Sequence, residues 1–287
     1  MTGWPIRSLP PIRDWVMSSN KAENIEYSTD ELRERLDEIY QKYHHRSFVH
    51  PDPLGSLYSY EDIKDREIVG LIASSLAYGR VTQILKSIGK ILLVMGASPY
   101  DYLMNTSLDG LKDSFSSFKH RFTTGDEMAC LLYAAREMIG DSGSLNRAFL
   151  EGYDGRHENI LDAVLAFSSK INSQARDSCC SLMPSHTGGS AFKRVNLYLR
   201  WMVRSDEVDP GGWREIPASK LLIPLDIHMS RISAILGFTS RKQADLKTVL
   251  EVTESLKKID KNDPIRYDFA LTRIGINRIK EDFRPSR

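Results

Sequence analysis

The stretch SAFKRVNLYLRWMVRSDEVD, Ser190–Asp209, decides how the chain is read. Wound as a helix at roughly 100° per residue, it sets Val195, Tyr198, Leu199 and Met202 on one side. Lys193, Arg200 and Arg204 fall on the opposite side, within about 40° of one another. Arg194 adds a further cation, and no acidic residue intervenes before Asp206. Like charges at i,i+4 spacing repel by about a few tenths of a kcal/mol per pair, which a fold normally relieves with interspersed acids. The stripe is therefore either a solvated helix face or a surface turned toward phosphates.

Its flanks carry the next signals. PSHTGGSAFK stands just upstream, where Gly188 and Gly189 can take positive φ and let the backbone come close to a ligand. Downstream, LLIPLDIHMSRISAILG (Leu221–Gly237) places Asp226 and His228 in an apolar run after Pro224. Proline favours extended chain before it, and Asp is among the best N-cap residues, so a helix is expected to start at Asp226. The carboxylate would accept the N–H of His228 or Met229, with Ile227, Ile232, Ile235 and Leu236 supplying buried contacts and Gly237 ending the helix. As metal ligands, Asp226 and His228 lack a third partner, and no metal is expected.

The remaining chain reads as helical. STDELRERLDEIYQKYHHR opens with a capping box, Ser28 and Glu31, and continues with Leu32, Leu36, Ile39 and Tyr43 at helical spacing. DREIVGLIASSLAYGRVTQILKSIGKILLVMG, from Asp65, reads as two helices divided near Tyr78-Gly79. Further amphipathic segments follow, separated by Gly, Ser and Asp clusters. Alternating runs of strand length are almost absent, so the fold class is all-α. His44 and His45 face different directions on a helix and suit helix-end contacts better than a metal site.

Composition narrows the setting. Lys+Arg 39 against Asp+Glu 38 gives no global field, so a nucleic-acid site would have to be a local basic patch. Cys130, Cys179 and Cys180 form neither a disulfide framework nor zinc or iron–sulfur spacing. The N-terminal stretch, with Pro5, Pro10 and Pro11, reads as an extended arm over residues 1–27 rather than a signal peptide. No run of about 18 apolar residues occurs. A soluble cytoplasmic monomer without membrane contact is expected.

The two segments together resemble the helix-hairpin-helix DNA glycosylase superfamily. GGSAFKRVNLYLRW is similar to that family's hairpin and the helix whose first turn carries a catalytic lysine, and IPLDIHMSRI is similar to its Asp-x-His-x-x-Arg segment. DREIVGLIASSLAYGRVTQILKSI is similar to the helix-turn-helix near the start of the family's helical barrel. FKRVNLYLRWMVR, VDPGGW, IPLDIHMSRI and DPIRYDFALTRIG fit a prokaryotic family within or beside that superfamily, related to archaeal 8-oxoguanine DNA glycosylase. The usual Leu-Pro-Gly-x-Gly hairpin is replaced here by Gly188-Gly189, with Ser190-Ala191-Phe192 before Lys193.

The resemblance implies a two-lobed fold. Residues 65–205 would form a helical barrel carrying the hairpin and Lys193, and 28–64 with 206–287 a second helical lobe carrying Asp226. It implies excision of an oxidised base, most plausibly 8-oxoguanine, from damaged double-stranded DNA by Lys193 attack at C1′ assisted by Asp226. A neutral lysine amine is the nucleophile, and neighbouring Arg194, Arg200 and Arg204 would favour that form. Gly188, Gly189, Arg80, Arg194, Arg200 and Arg204 are the candidate DNA contacts. A flipped base needs an aromatic slot and edge hydrogen bonds, which nominates Tyr78, Trp201, Trp213, Tyr267, Asp268 and Phe269, although each aromatic also suits core packing. No cofactor is expected, because three cysteines cannot hold a four-cysteine iron–sulfur cluster. Two alternatives stand beside this reading: a non-catalytic nucleic-acid-binding protein of the same fold, and a different hydrolase or structural protein in which Lys193 and Asp226 form a salt bridge.

Overall fold

In a computed structural model, described for residues 28–175, 181–184 and 189–274, nearly all regular structure is helical. The N-terminal arm and Gly188 lie outside the described residues. Helix α1, Thr29–Tyr43, starts at the expected capping box, with Ser28 Oγ accepting the Glu31 N–H and the Glu31 carboxylate accepting the Ser28 N–H. It buries Leu32, Leu36 and Ile39 and packs against α11, Leu246–Ile259, near the other end of the chain. The expected pair follows as α2, Ile63–Ser75, and α3, Val81–Met95, parted at Leu76–Arg80.

Then come α4 (Pro99–Asn105), α5 (Leu108–Phe115), a hairpin of β1 (Lys119–His120) and β2 (Thr123–Thr124), and α6 (Gly125–Ser142). The hairpin pairs Lys119 with Thr124 and His120 with Thr123, leaving Arg121-Phe122 as a two-residue turn. Helices α7 (Leu145–Leu150) and α8 (Leu161–Gln174) complete a layer against α6. Helix α9, Lys193–Val203, lies against α2, and α10 spans Ile227–Ile235.

Buried apolar side chains from Leu32 to Leu271 form one continuous cluster. Helix α9 runs through it with most of its surface covered: Val195, Tyr198, Leu199, Trp201, Met202 and Val203 are all buried. Close packing is enforced at Gly70 of α2, where a Cβ would meet the Tyr198 ring at 3.0 Å. Among the described residues no single helix is long and apolar enough to cross a membrane.

The expectation of a phosphate-facing stripe is overturned for Arg200 and Arg204, each only 4 % exposed. Arg200 donates from Nε and Nη2 to Asp209, at 3.1 and 2.9 Å, and from Nη1 to Asp268 at 2.5 Å. Arg204 donates to Asp209 at 2.9 Å and also pairs with Asp206 and Asp263. The acids that relieve the stripe come from the loop after α9 and from the C-terminal segment. Burial opposes both guanidinium charges, but the facing carboxylates outweigh it and raise both pKa values above the ordinary range. Four carboxylates facing two guanidiniums leave a surplus of negative charge. Burial, with Asp226 adding to it, pushes Asp268 up to about 6 despite the opposing Arg200.

The base-slot candidates are corrected with them. Trp201 and Tyr267 are core residues, and the Tyr267 hydroxyl donates to Asp37 at 2.8 Å. Trp213 is buried and donates from Nε1 to Glu67 at 2.8 Å. Phe269 is buried under the guanidiniums of Arg200 and Arg273, at 5.7 and 4.6 Å from its ring centre. Asp268 is held by Arg200 in the interior, so all five are buried.

Candidate functional site

At the N-terminus of α9 two cations of the basic stretch, Lys193 and Arg194, are half-buried rather than buried. Gly189 has φ +63, and its carbonyl accepts the Leu246 N–H at 3.2 Å, joining this loop to the start of α11. Among the described residues no neighbour would obstruct a Cβ there, and the positive φ itself favours glycine. The Phe192 N–H donates to Ser190 Oγ at 3.2 Å, and Phe192 itself sits at φ +48, the left-handed region uncommon for a non-glycine residue. Among the described residues no side chain caps α9. Its first amide donors lie at the positive end of the helix dipole.

Lys193 and Arg194 occupy the first two helical positions. The Lys193 Nζ donates to the Ala77 carbonyl at 3.1 Å, and Arg194 donates to the carbonyls of Ser75 and Ser181 at 3.3 and 2.6 Å. Ser75 ends α2 and Ala77 follows its C-cap, so both cations also satisfy acceptors at the negative end of that helix. An ammonium has three donors, and this contact uses one. Burial lowers the Arg194 pKa from its ordinary value, yet the guanidinium still faces carbonyls and the Tyr78 ring, 5.6 Å away. Among the described residues neither cation has a carboxylate partner.

Both line a cleft of about 490 Å³ bounded by Ala77, Tyr78, Phe122, Thr123, Ser181, Pro184, Ser190, Ala191, Leu225 and Ala244. Among the described residues the lining carries two cations and no acid, an arrangement suited to an anion. The Tyr78 hydroxyl donates to the His120 carbonyl at 2.8 Å and stands 2.6 Å from Thr123 Oγ1. Tyr78, predicted as a pocket residue, is thus brought to the cleft and fastened to the hairpin. Arg80 is exposed at the start of α3, outside the lining set.

Asp226 caps α10 as expected, accepting the Met229 N–H at 2.7 Å, and Gly237 has φ +72 just beyond the helix. Its neighbour Leu225 lines the cleft, which brings the Asp226 helix to the same region as Lys193. The two side chains are not an ion pair in this structure. The buried contacts expected along α10 hold for Ile232 but not for Ile227 and Ile235, which are 69 % and 42 % exposed. Among the described residues no group of three or more His, Cys, Asp or Glu could hold a metal ion. His44 and His45 make helix-end contacts with Asp206 and Glu207, at 2.9 and 3.0 Å.

Sequence reasoning missed Phe122, Thr123, Ser181 and Ser190. The hairpin lacks the Asn-Gly or Asp-Gly turn that would have signalled it, because Arg121 takes the positive φ position at +53. No curated protein and no solved structure matches the chain. A family model described as a protein of unknown function, DUF2400, matches residues 52–277, a span that includes the cleft, α9 and α10, and the chain belongs to that family.

Proposed function

We propose that the protein is a DNA glycosylase with AP-lyase activity that removes an oxidised base, most plausibly 8-oxoguanine, from damaged duplex DNA. The observation that carries the reading is the cleft at the start of α9, which has Lys193 and Arg194 on its wall and no acid among its described lining residues. Arg194 and the first amides of α9 would hold a phosphodiester beside the target sugar. Lys193 Nζ would form a bond to C1′ as the C1′–N bond breaks, and the base would depart with the bonding electrons and take up a proton. Asp226 would stabilise positive charge at C1′ and accept a proton from the amine. The second amine proton would pass to O4′ as the C1′–O4′ bond breaks, giving an imine, and removal of a C2′ proton would then expel the 3′ phosphate with the C3′–O bond electrons.

In the finer architecture of this proposal, residues 65–205 form the barrel lobe and 28–64 with 206–287 the second lobe. The cleft would lie between Lys193 of the first and Asp226 of the second, which a closing motion on DNA would bring together. Borohydride trapping on oligonucleotides carrying 8-oxoguanine, other lesions or an abasic site tests the chemistry. An adduct with the wild type that Lys193→Gln abolishes is the expected result, and no adduct on any substrate refutes it.

A second reading rests on the Lys193 Nζ contact to Ala77 O and the absence of a Lys193–Asp226 ion pair. There the cleft binds nucleic acid without chemistry, and salt-sensitive binding persists with no adduct.

A further inference from the structure

The hairpin at the mouth of the cleft holds an aromatic ring in water. Phe122 is 80 % exposed, whereas His120 and Thr123, its neighbours in the same hairpin, are 0 % and 1 % exposed. The exposure is not a loose end of chain. His120 Nδ1 lies 2.9 Å from Ser87 Oγ, its Nε2 lies 3.1 Å from the Tyr78 carbonyl, and the Tyr78 hydroxyl closes the clasp on His120 O and Thr123 Oγ1. Arg121 is held at positive φ, which fixes the direction in which the turn projects. Its guanidinium stands 5.6 Å from the Phe122 ring centre and 6.0 Å from that of Tyr78. Gly79 makes room for it: a Cβ there would meet the Arg121 side chain at 2.8 Å.

We infer that Phe122 is a stacking platform for a nucleobase of the strand whose phosphate lies in the Lys193–Arg194 cleft. This rests on the reading of that cleft as a nucleic-acid site. A rigidly projected ring beside three cations, lining a cleft with no acid among its described residues, matches the alternation of flat bases and anionic phosphates along a strand. A lone phosphate would have no use for the ring, and an apolar peptide would have none for the cations. Because Phe122 touches a base and no phosphate, it adds affinity without adding to the salt dependence.

The test uses oligonucleotides with 2-aminopurine opposite a tetrahydrofuran abasic analogue, read by fluorescence and by anisotropy across a salt series. The wild type should change the 2-aminopurine signal on binding. Phe122→Ala should abolish that change and weaken binding roughly 5- to 150-fold, the range for loss of one base–aromatic stack, at an unchanged salt slope. Phe122→Trp should restore both, and unaltered circular dichroism of each variant excludes misfolding. Equal binding and equal signal in wild type and Phe122→Ala overturn the inference, as does binding to anionic lipid vesicles that requires Phe122 while oligonucleotides do not bind. The outcome for the enzymatic reading is separate. An adduct on Lys193 with no Phe122 effect sinks only the stacking role, whereas Phe122-dependent stacking with no adduct sinks only the chemistry.

Discussion

Replacing Arg200 with leucine separates the structural account of α9 from the phosphate-facing one. The guanidinium makes three donor contacts to Asp209 and one to Asp268, whose side chains are 0 % and 3 % exposed. Removing it leaves Asp209 with Arg204 alone and takes from Asp268 its one side-chain donor among the described residues. Breaking a buried pair by deleting one partner costs about 3–5 kcal/mol, because the surviving charge stays desolvated. Asp268 has an escape: its carboxyl, already pushed up to about 6 by burial, takes a proton when its cation goes. The penalty should therefore be larger at pH 8 than at pH 5. Urea unfolding followed by far-ultraviolet circular dichroism measures it at both pH values. In thermal terms a loss of this size lowers Tm by roughly 5–8 °C for a chain of this length. Were Arg200 a solvated phosphate contact, Arg200→Leu would move stability by less than about 0.5 kcal/mol and would weaken nucleic-acid binding instead. That pair of results would refute the buried network.

Arg194→Met should do the reverse, cutting affinity for an oligonucleotide and lowering the magnitude of the salt slope by about one, with unfolding less affected than in Arg200→Leu because no carboxylate is stranded. Asp226→Asn should keep the cap on Met229 and hence the stability, while Asp226→Ala should cost about 1 kcal/mol; both should lose base release, so only the catalytic role predicts a fault in the Asn variant. Asp268 has a folded pKa raised from 3.8 to about 6, so its contribution to stability is fully present below about 4 and lost as pH rises through about 6. Relative to Asp268→Asn, the wild type should lose ~3 kcal/mol over that window in urea titrations, and a flat difference would contradict the raised value. Gly79→Ala should destabilise by about 1–2 kcal/mol, since φ +97 and the Arg121 side chain both oppose a Cβ. Unchanged thermal unfolding would show that Arg121 does not lie across that site.

Local patterns were legible in the sequence and long-range pairings were not. The α1 capping box, the break between α2 and α3, and the start of α10 at Asp226 each depend on residues within four positions of one another. Such short spacings carry their own physics. The fate of Arg200 and Arg204 depends on Asp209, Asp263 and Asp268, up to 68 residues away, and no helical wheel contains them. Treating α9 as one apolar side and one basic side failed for that reason: the basic side is also interior. Of the four cations only Lys193 and Arg194, at the helix start, line the cleft. Phe122 escaped notice because an Arg-Phe turn lacks the glycine or asparagine that normally marks a tight hairpin.

The central claim is that Lys193, at the head of a buried helix, is the amine that attacks C1′. Peptide mapping of a borohydride-trapped protein–DNA adduct by mass spectrometry tests it directly. The account predicts the deoxyribose remnant on the peptide containing Lys193. A remnant on another lysine or on the N-terminal amine, with Lys193 unmodified, would contradict it.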